Sequence, residues 1–170
     1  MLKSFKLYFF YFFLLLNSNA QSNKKKIVYL NLENIFQNSK PGKLILEDLS
    51  NKQKINIEKF KKKEIELRNA EQDIIKKKNI LSKEEFDVKA RALNEQMKEY
   101  NIMREKTFSE FEENKKKKLN QFLENITPLI ENFVKENSIS IVLNQKNLFI
   151  ASKNFDITDQ IIQIVNENIK

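Results

Sequence analysis

Ile74-Ile75-Lys76-Lys77-Lys78-Asn79-Ile80-Leu81-Ser82-Lys83-Glu84-Glu85 is the stretch that decides the fold. Ser82 and Glu85 have the S-x-x-E spacing of a capping box, in which each side chain satisfies an orphan backbone N–H of the other, so a helix starts at Ser82. Upstream, positions alternating by three and four residues hold Leu46, Leu49, Gln53, Asn56, Phe60, Lys63, Leu67, Ala70 and Ile74. Six of these nine are apolar, a thin coiled-coil seam with polar gaps. Downstream, a second seam runs through Phe86, Ala90, Leu93, Met97, Tyr100, Arg104, Thr107 and Phe111. Two seams joined by about four residues (79–82) fold back as an antiparallel helical hairpin.

Working outward, the first helix as residues 43–78 spans about 54 Å at 1.5 Å per residue. The second, continued to Asn137, is much longer and changes character. Leu119, Phe122, Leu123, Ile126, Leu129, Ile130, Phe133 and Val134 form a dense apolar stripe. Pro128 lies inside it and is expected to kink the helix or mark a local break. The arm is thus sparsely apolar and its base richly so. Before the arm, Ile27-Val28-Tyr29-Leu30 is a β-prone run, and Leu32, Ile35 and Phe36 follow at helical spacing. Pro41-Gly42 is expected to break the chain at the arm's root. After the arm, Ile139 to Leu143 reads as a strand, 144–147 as a turn, and Leu148-Phe149-Ile150-Ala151 as another strand. Asp156 or Thr158 then caps a last helix with the stripe Ile161, Ile162, Val165 and Ile169.

Composition narrows the function. The 170 residues include one Gly, two Pro, and no Cys, His or Trp. Zinc sites of the usual kind, disulfide frameworks and Cys–His or Ser–His catalysis are excluded. A Walker or dinucleotide loop needs several glycines. No cofactor or metal is expected, and an enzyme is disfavoured, since nothing places Asp/Glu or Ser/Lys chemistry together. Few breakers and many Lys, Glu, Leu and Ile point to long helices.

Residues 1–20 read as a secretory signal peptide. Lys3 and Lys6 precede ten apolar or aromatic residues, Leu7 to Leu16, and Ser18-Asn19-Ala20 sets cleavage between Ala20 and Gln21. Ten residues are too few to span a membrane. Loss of Lys3 and Lys6 lowers the formal charge from +8 to +6. Lys supplies 28 of the 31 basic residues, as AT-rich coding favours, so the charge alone argues weakly for nucleic acid, and export argues against it. Secretion without cysteine fits a Gram-negative periplasm.

Three short strands would expose edges, and the arm contributes little core, so association of several copies is expected. The predicted architecture is mainly α with a small β component: a long antiparallel coiled-coil hairpin projecting from a small oligomeric β-body. The body is residues 21–42 and 119–170, and the arm 43–118. Body contacts are assigned to Ile27, Val28, Tyr29, Leu30, Ile139, Ile141, Val142, Leu143, Leu148, Phe149 and Ile150.

Lys26-Ile27-Val28-Tyr29-Leu30-Asn31, Ile35-Phe36-Gln37, the run Ile139 to Asn144, and Leu148-Phe149-Ile150-Ala151-Ser152 leading to Asp156-Ile157-Thr158 resemble the Skp (OmpH) family of periplasmic chaperones for outer-membrane proteins. The resemblance covers 26–169 in order. It implies a homotrimer, in which strands from three subunits form the body and three hairpins project as tentacles around a cavity. Unfolded outer-membrane β-barrel proteins would be held there without ATP. Contact with anionic lipid or lipopolysaccharide is a further expectation, although the basic motif proposed in the family has no residue-by-residue counterpart, and Arg is limited to Arg68, Arg91 and Arg104.

The tip has two readings. Ile74, Ile75, Lys76, Lys77, Lys78, Ile80, Leu81 and Lys83 could form a cationic, apolar client grip. Equally, Ile74, Ile80 and Leu81 could simply close the hairpin while the lysines solvate it. A structural or tethering coiled coil of the envelope shares every helical feature and is the alternative function.

Overall fold

The computed structural model describes residues 26–169; the signal segment and its Ala20–Gln21 cleavage site lie outside them. Strand β1 (Lys26–Leu30) leads into helix α1 (Leu32–Asn38). Helices α2 (Lys40–Lys76) and α3 (Lys83–Glu136) follow, then strand β2 (Ile139–Asn144) and helix α4 (Thr158–Asn168). At 1.5 Å per residue, α2 is about 55 Å long and α3 about 80 Å. The two pack as the expected hairpin. The surplus of α3 returns into the body, where its dense apolar stripe is needed.

The arm's root departs from expectation. Pro41-Gly42 does not interrupt the helix. The break is at Ser39, which ends α1 and caps α2, its buried hydroxyl accepting from the Gly42 N–H at 3.3 Å. Pro41 fits the first turn of α2 because the N–H it lacks would have no helical partner there. Gly42 is required by close approach: a Cβ there would stand 1.8 Å from the Phe36 carbonyl oxygen. Its backbone is not in a positive-φ conformation. The chain's single glycine therefore lets α1 fold tightly against α2.

Pro128 also leaves its helix unbroken, and α3 continues eight residues beyond it. Both Pro128 and Glu124, whose carbonyl loses its partner, are exposed, so water can take up that bond. Asn137 caps the C-terminus of α3, and Ser138 follows with φ 52°, a left-handed position that glycine would occupy more easily.

Strands β1 and β2 pair in parallel, connected through the whole arm. Ile27 pairs with Ile141, Val28 with Val142 and Tyr29 with Leu143. A register irregularity after Lys26 explains how Ile139 and Val142, three apart, both serve the core. That core gathers Val28 and Leu30 from β1, Ile35 from α1, Phe122 and Ile126 from α3, and Ile161 and Val165 from α4. Phe36 meets Phe122 edge to face, ring centroids 5.0 Å apart. The cap expected at Asp156 or Thr158 falls instead on Ile157, which makes no side-chain capping bond; Asp156, just before it, accepts from the Thr158 N–H at 2.9 Å, and the buried Thr158 hydroxyl accepts from the Asn31 N–H at 2.9 Å.

The strand expected at Leu148–Ala151 does not form. One edge of β1 is taken by β2. The other is met by Asp156 and by the Ile157 N–H, which donates to the Tyr29 carbonyl at 2.9 Å. Leu148–Ala151 pairs with no strand among the described residues, although the outer edge of β2 is open, so the sheet has two strands where three were expected.

Candidate functional site

The arm has its own small core. Leu67, Leu93 and Tyr100 are buried, with Phe60, Ala70, Ile74 and Met103 packed against them. The seam expected on α2 turns inward from Leu49 to Ile74 except at the exposed Gln53, whereas Leu46 is exposed and its neighbour Ile45 packs against the body core instead. On α3 the expected Met97 and Arg104 are exposed, and Met103 takes the inward place between Tyr100 and Thr107. Two four-residue steps in succession, 103 to 107 to 111, keep the longer helix facing its partner.

This core sits in the outer half of the arm. Between Tyr100 and Phe122, α3 buries no residue. Gln53 and Asn56 occupy the facing seam of α2, and neither can fill the space between the helices. A cavity of about 670 Å³ opens there, with Phe60, Phe108 and Phe111 in its walls. Nearer the body, Asp48 holds the helices together: its carboxylate lies 3.1 Å from Lys52 on its own helix and 3.2 Å from Lys118 on the other. Hydrogen bonds from Lys52 and then Lys118 lower the Asp48 pKa.

At the tip, the capping box is present in both halves. The Ser82 hydroxyl accepts from the Glu85 N–H at 3.2 Å, and Glu85 accepts from the Ser82 N–H at 3.0 Å. That backbone bond leads the causes that hold the Glu85 carboxyl below its usual range. The four aliphatics divide. Ile74 and Leu81 are half-buried, whereas Ile75 is exposed and Ile80 is 82% exposed. Lys76, Lys77, Lys78 and Lys83 are all exposed. Asp73 precedes this patch, and Glu84, Glu85 and Asp87 in the start of α3 follow it closely. The tip is therefore locally cationic and bounded by acids, a neighbourhood the stretch 74–83 alone does not show.

Among the body residues, Val28, Tyr29, Leu30 and Ile139 are buried, and Val142 and Leu148 half-buried. Ile27, Ile141 and Leu143 lie exposed on the outer sheet face. Phe149 is 102% exposed and Ile150 86%. The outer edge of β2 has no partner strand among the described residues. Exposed aliphatic and aromatic residues also run along the arm, including Ile55, Ile57, Ile65, Ile102 and Phe108. Sequence periodicity missed these because they lie off the seam. The pairing of small or polar seam positions, Gln53 and Asn56 against Thr107, was the available signal for the cavity.

A family model described as outer membrane protein (OmpH-like) matches residues 26–165. No curated protein matches. A solved structure from Caulobacter crescentus CB15, assigned as an OmpH-like outer membrane chaperone, superposes with a TM-score of 0.79 at 16% identity, covering 86% of each chain. At that identity the likeness is one of fold.

Proposed function

The chain belongs to the OmpH-like family, and from that premise we propose that it is an ATP-independent periplasmic holdase. It binds unfolded outer-membrane β-barrel proteins and prevents their aggregation on the way to the outer membrane. The observation that carries this reading is the distribution of apolar surface along the arm. Ile55, Ile57, Ile102, Phe108 and Ile80 are exposed over tens of ångströms of a two-helix rod with a three-residue core of its own. Such a surface offers many weak apolar contacts and no fixed pose, as a holder of unfolded chains requires. ATP independence is part of this proposal and is supported by the sole glycine, which is packed at the arm's root and cannot serve a glycine-rich phosphate loop. The chaperone assignment of the Caulobacter crescentus protein points the same way.

In this reading, residues 21–42 and 119–170 form the oligomerisation body and 43–118 the tentacle. The unpaired edge of β2, the outer-face residues Ile27, Ile141 and Leu143, and Phe149 and Ile150 meet other copies of the chain in a homotrimer. Light scattering of the mature chain reports its mass directly. Replacing both Phe149 and Ile150 with Ser should shift that mass toward the monomer; an unchanged mass would remove these residues from the interface. At the tips, Ile75 and Ile80 supply apolar contact and Lys76, Lys77, Lys78 and Lys83 attract acidic clients or anionic lipid, including lipopolysaccharide. Changing these four lysines to Gln should weaken binding of an acidic unfolded barrel protein and flatten its salt dependence. The function itself is tested by diluting a urea-unfolded porin into buffer with the mature chain and no nucleotide. Suppressed turbidity is expected, and turbidity equal to the control would reject the reading.

A further inference from the structure

The seam of the arm repeats by heptads, and two successive repeats differ in size. In the outer one, Phe60 and Tyr100 meet edge to face with ring centroids 6.2 Å apart, and the Tyr100 hydroxyl donates to Glu64. One heptad toward the body, the same positions hold Gln53 and Thr107. Thr107 is too small to supply the missing ring, and the 670 Å³ cavity lies at this place, lined by Thr107 and Gln53 themselves. Three aromatic side chains, Phe60, Phe108 and Phe111, remain as walls around it, with Phe108 66% exposed. The Arg104 guanidinium and the Asn56 carboxamide add a cation and a hydrogen-bonding group. Water in such a space wets ring surface that would be better covered.

We infer that this mid-arm cleft seats aromatic side chains, tyrosine above all, of the unfolded polypeptide that the arm holds. The inference rests on the holdase reading and gives it a specificity. An incoming ring would take the place that Tyr100 fills one heptad away, edge to face against the phenylalanines and over the guanidinium of Arg104. A phenol hydroxyl would find acceptors in the carboxamides of Asn56 and Asn101 and the carboxylate of Glu105, which also line the space. Aliphatic side chains would gain the burial without the ring geometry or the hydroxyl partner.

The test uses the full mature chain and two fluorescently labelled unstructured peptides of equal length and charge. One carries tyrosine at alternate positions and the other leucine. Wild type should prefer the tyrosine peptide by roughly three- to tenfold, the worth of one aromatic pair. Thr107→Tyr supplies the ring in cis and should abolish that preference, lowering affinity for the tyrosine peptide more than for the leucine peptide; Phe108→Ala removes an exposed wall and should likewise erase the tyrosine peptide's advantage. The thermal midpoint of Thr107→Tyr should be equal to or above wild type because the ring fills a void. If that variant fails to fold, Phe108→Ala decides. Equal affinity of wild type for the two peptides, or a preference that survives in Phe108→Ala, overturns the inference while porin protection still upholds the holdase reading. Loss of porin protection in wild type overturns both.

Discussion

Replacing Leu93 with Ala should loosen the outer arm and leave the body intact. Leu93, Leu67 and Tyr100 are the only buried residues of the arm's own core, and the body core draws on none of them. Leu93→Ala removes about three carbons, worth about 2.4 kcal/mol at about 0.8 kcal/mol per methylene. A fully enclosed core would add a cavity cost, but two helices with solvent on most sides can close together, so the total should stay near about 2.5 kcal/mol. At about 1.4 kcal/mol per decade, this corresponds to roughly 60-fold faster opening of the affected hydrogen bonds. Hydrogen exchange followed by mass spectrometry reads the effect by segment. Peptides from 61–72 and 90–102 should lose protection by that factor, whereas β1 and α4 should exchange as in wild type. Equal loss of protection in arm and body would refute the reasoning, because it would mean that the stretch of α3 between Tyr100 and Phe122, which buries nothing, still couples the two cores.

Three further outcomes are expected. Gly42→Ala should cost more than about 3 kcal/mol, at the upper end of overpacking, because the added carbon meets the fixed backbone of Phe36; a chemical melt of the variant measures it. Ser138→Gly should stabilise by about 0.5–1 kcal/mol by relieving a left-handed residue after α3, and a raised melting temperature would show it. The folded-state pKa values of Asp48 and Glu85 lie below their ordinary 3.8 and 4.5, so both groups contribute stability at neutral pH that is lost as pH falls through those lowered values. Thermal melts should therefore fall off below about pH 4.5, and less steeply in a variant carrying Asp48→Asn and Glu85→Gln.

The helices were legible in the sequence because their signals are local. The Ser82–Glu85 box announced the start of α3, and the seam from Leu49 to Ile74 faces the partner helix as its spacing requires. What escaped depends on neighbours that no local pattern names. Pro41-Gly42 reads as a breaker, yet Pro suits a first turn and Gly42 answers to Phe36, which the fold brings alongside. Leu148–Ala151 has the composition of a strand, yet after the 3₁₀ turn at Gln145–Asn147 it does not fold back on β2, whose outer edge stays open among the described residues. On α3 the inward place between Tyr100 and Thr107 goes to the apolar Met103, while Arg104 keeps its charge exposed to water. The tip's lysines and the acids that bound them, Asp73 before and Glu84, Glu85 and Asp87 after, are both visible in the sequence. The mid-arm cleft was written only as a size mismatch between Gln53 and Thr107, legible once the two helices are set in register.

The most direct measurement is the state of a client in the presence of the mature chain. A urea-unfolded porin, diluted with the chain and without nucleotide, is passed over a sizing column with in-line light scattering, and the client is then examined by circular dichroism. A soluble complex is expected, with a mass equal to one chaperone oligomer plus one client and a client lacking barrel structure. A client that elutes as aggregate, while the chain elutes alone, would contradict the holdase function.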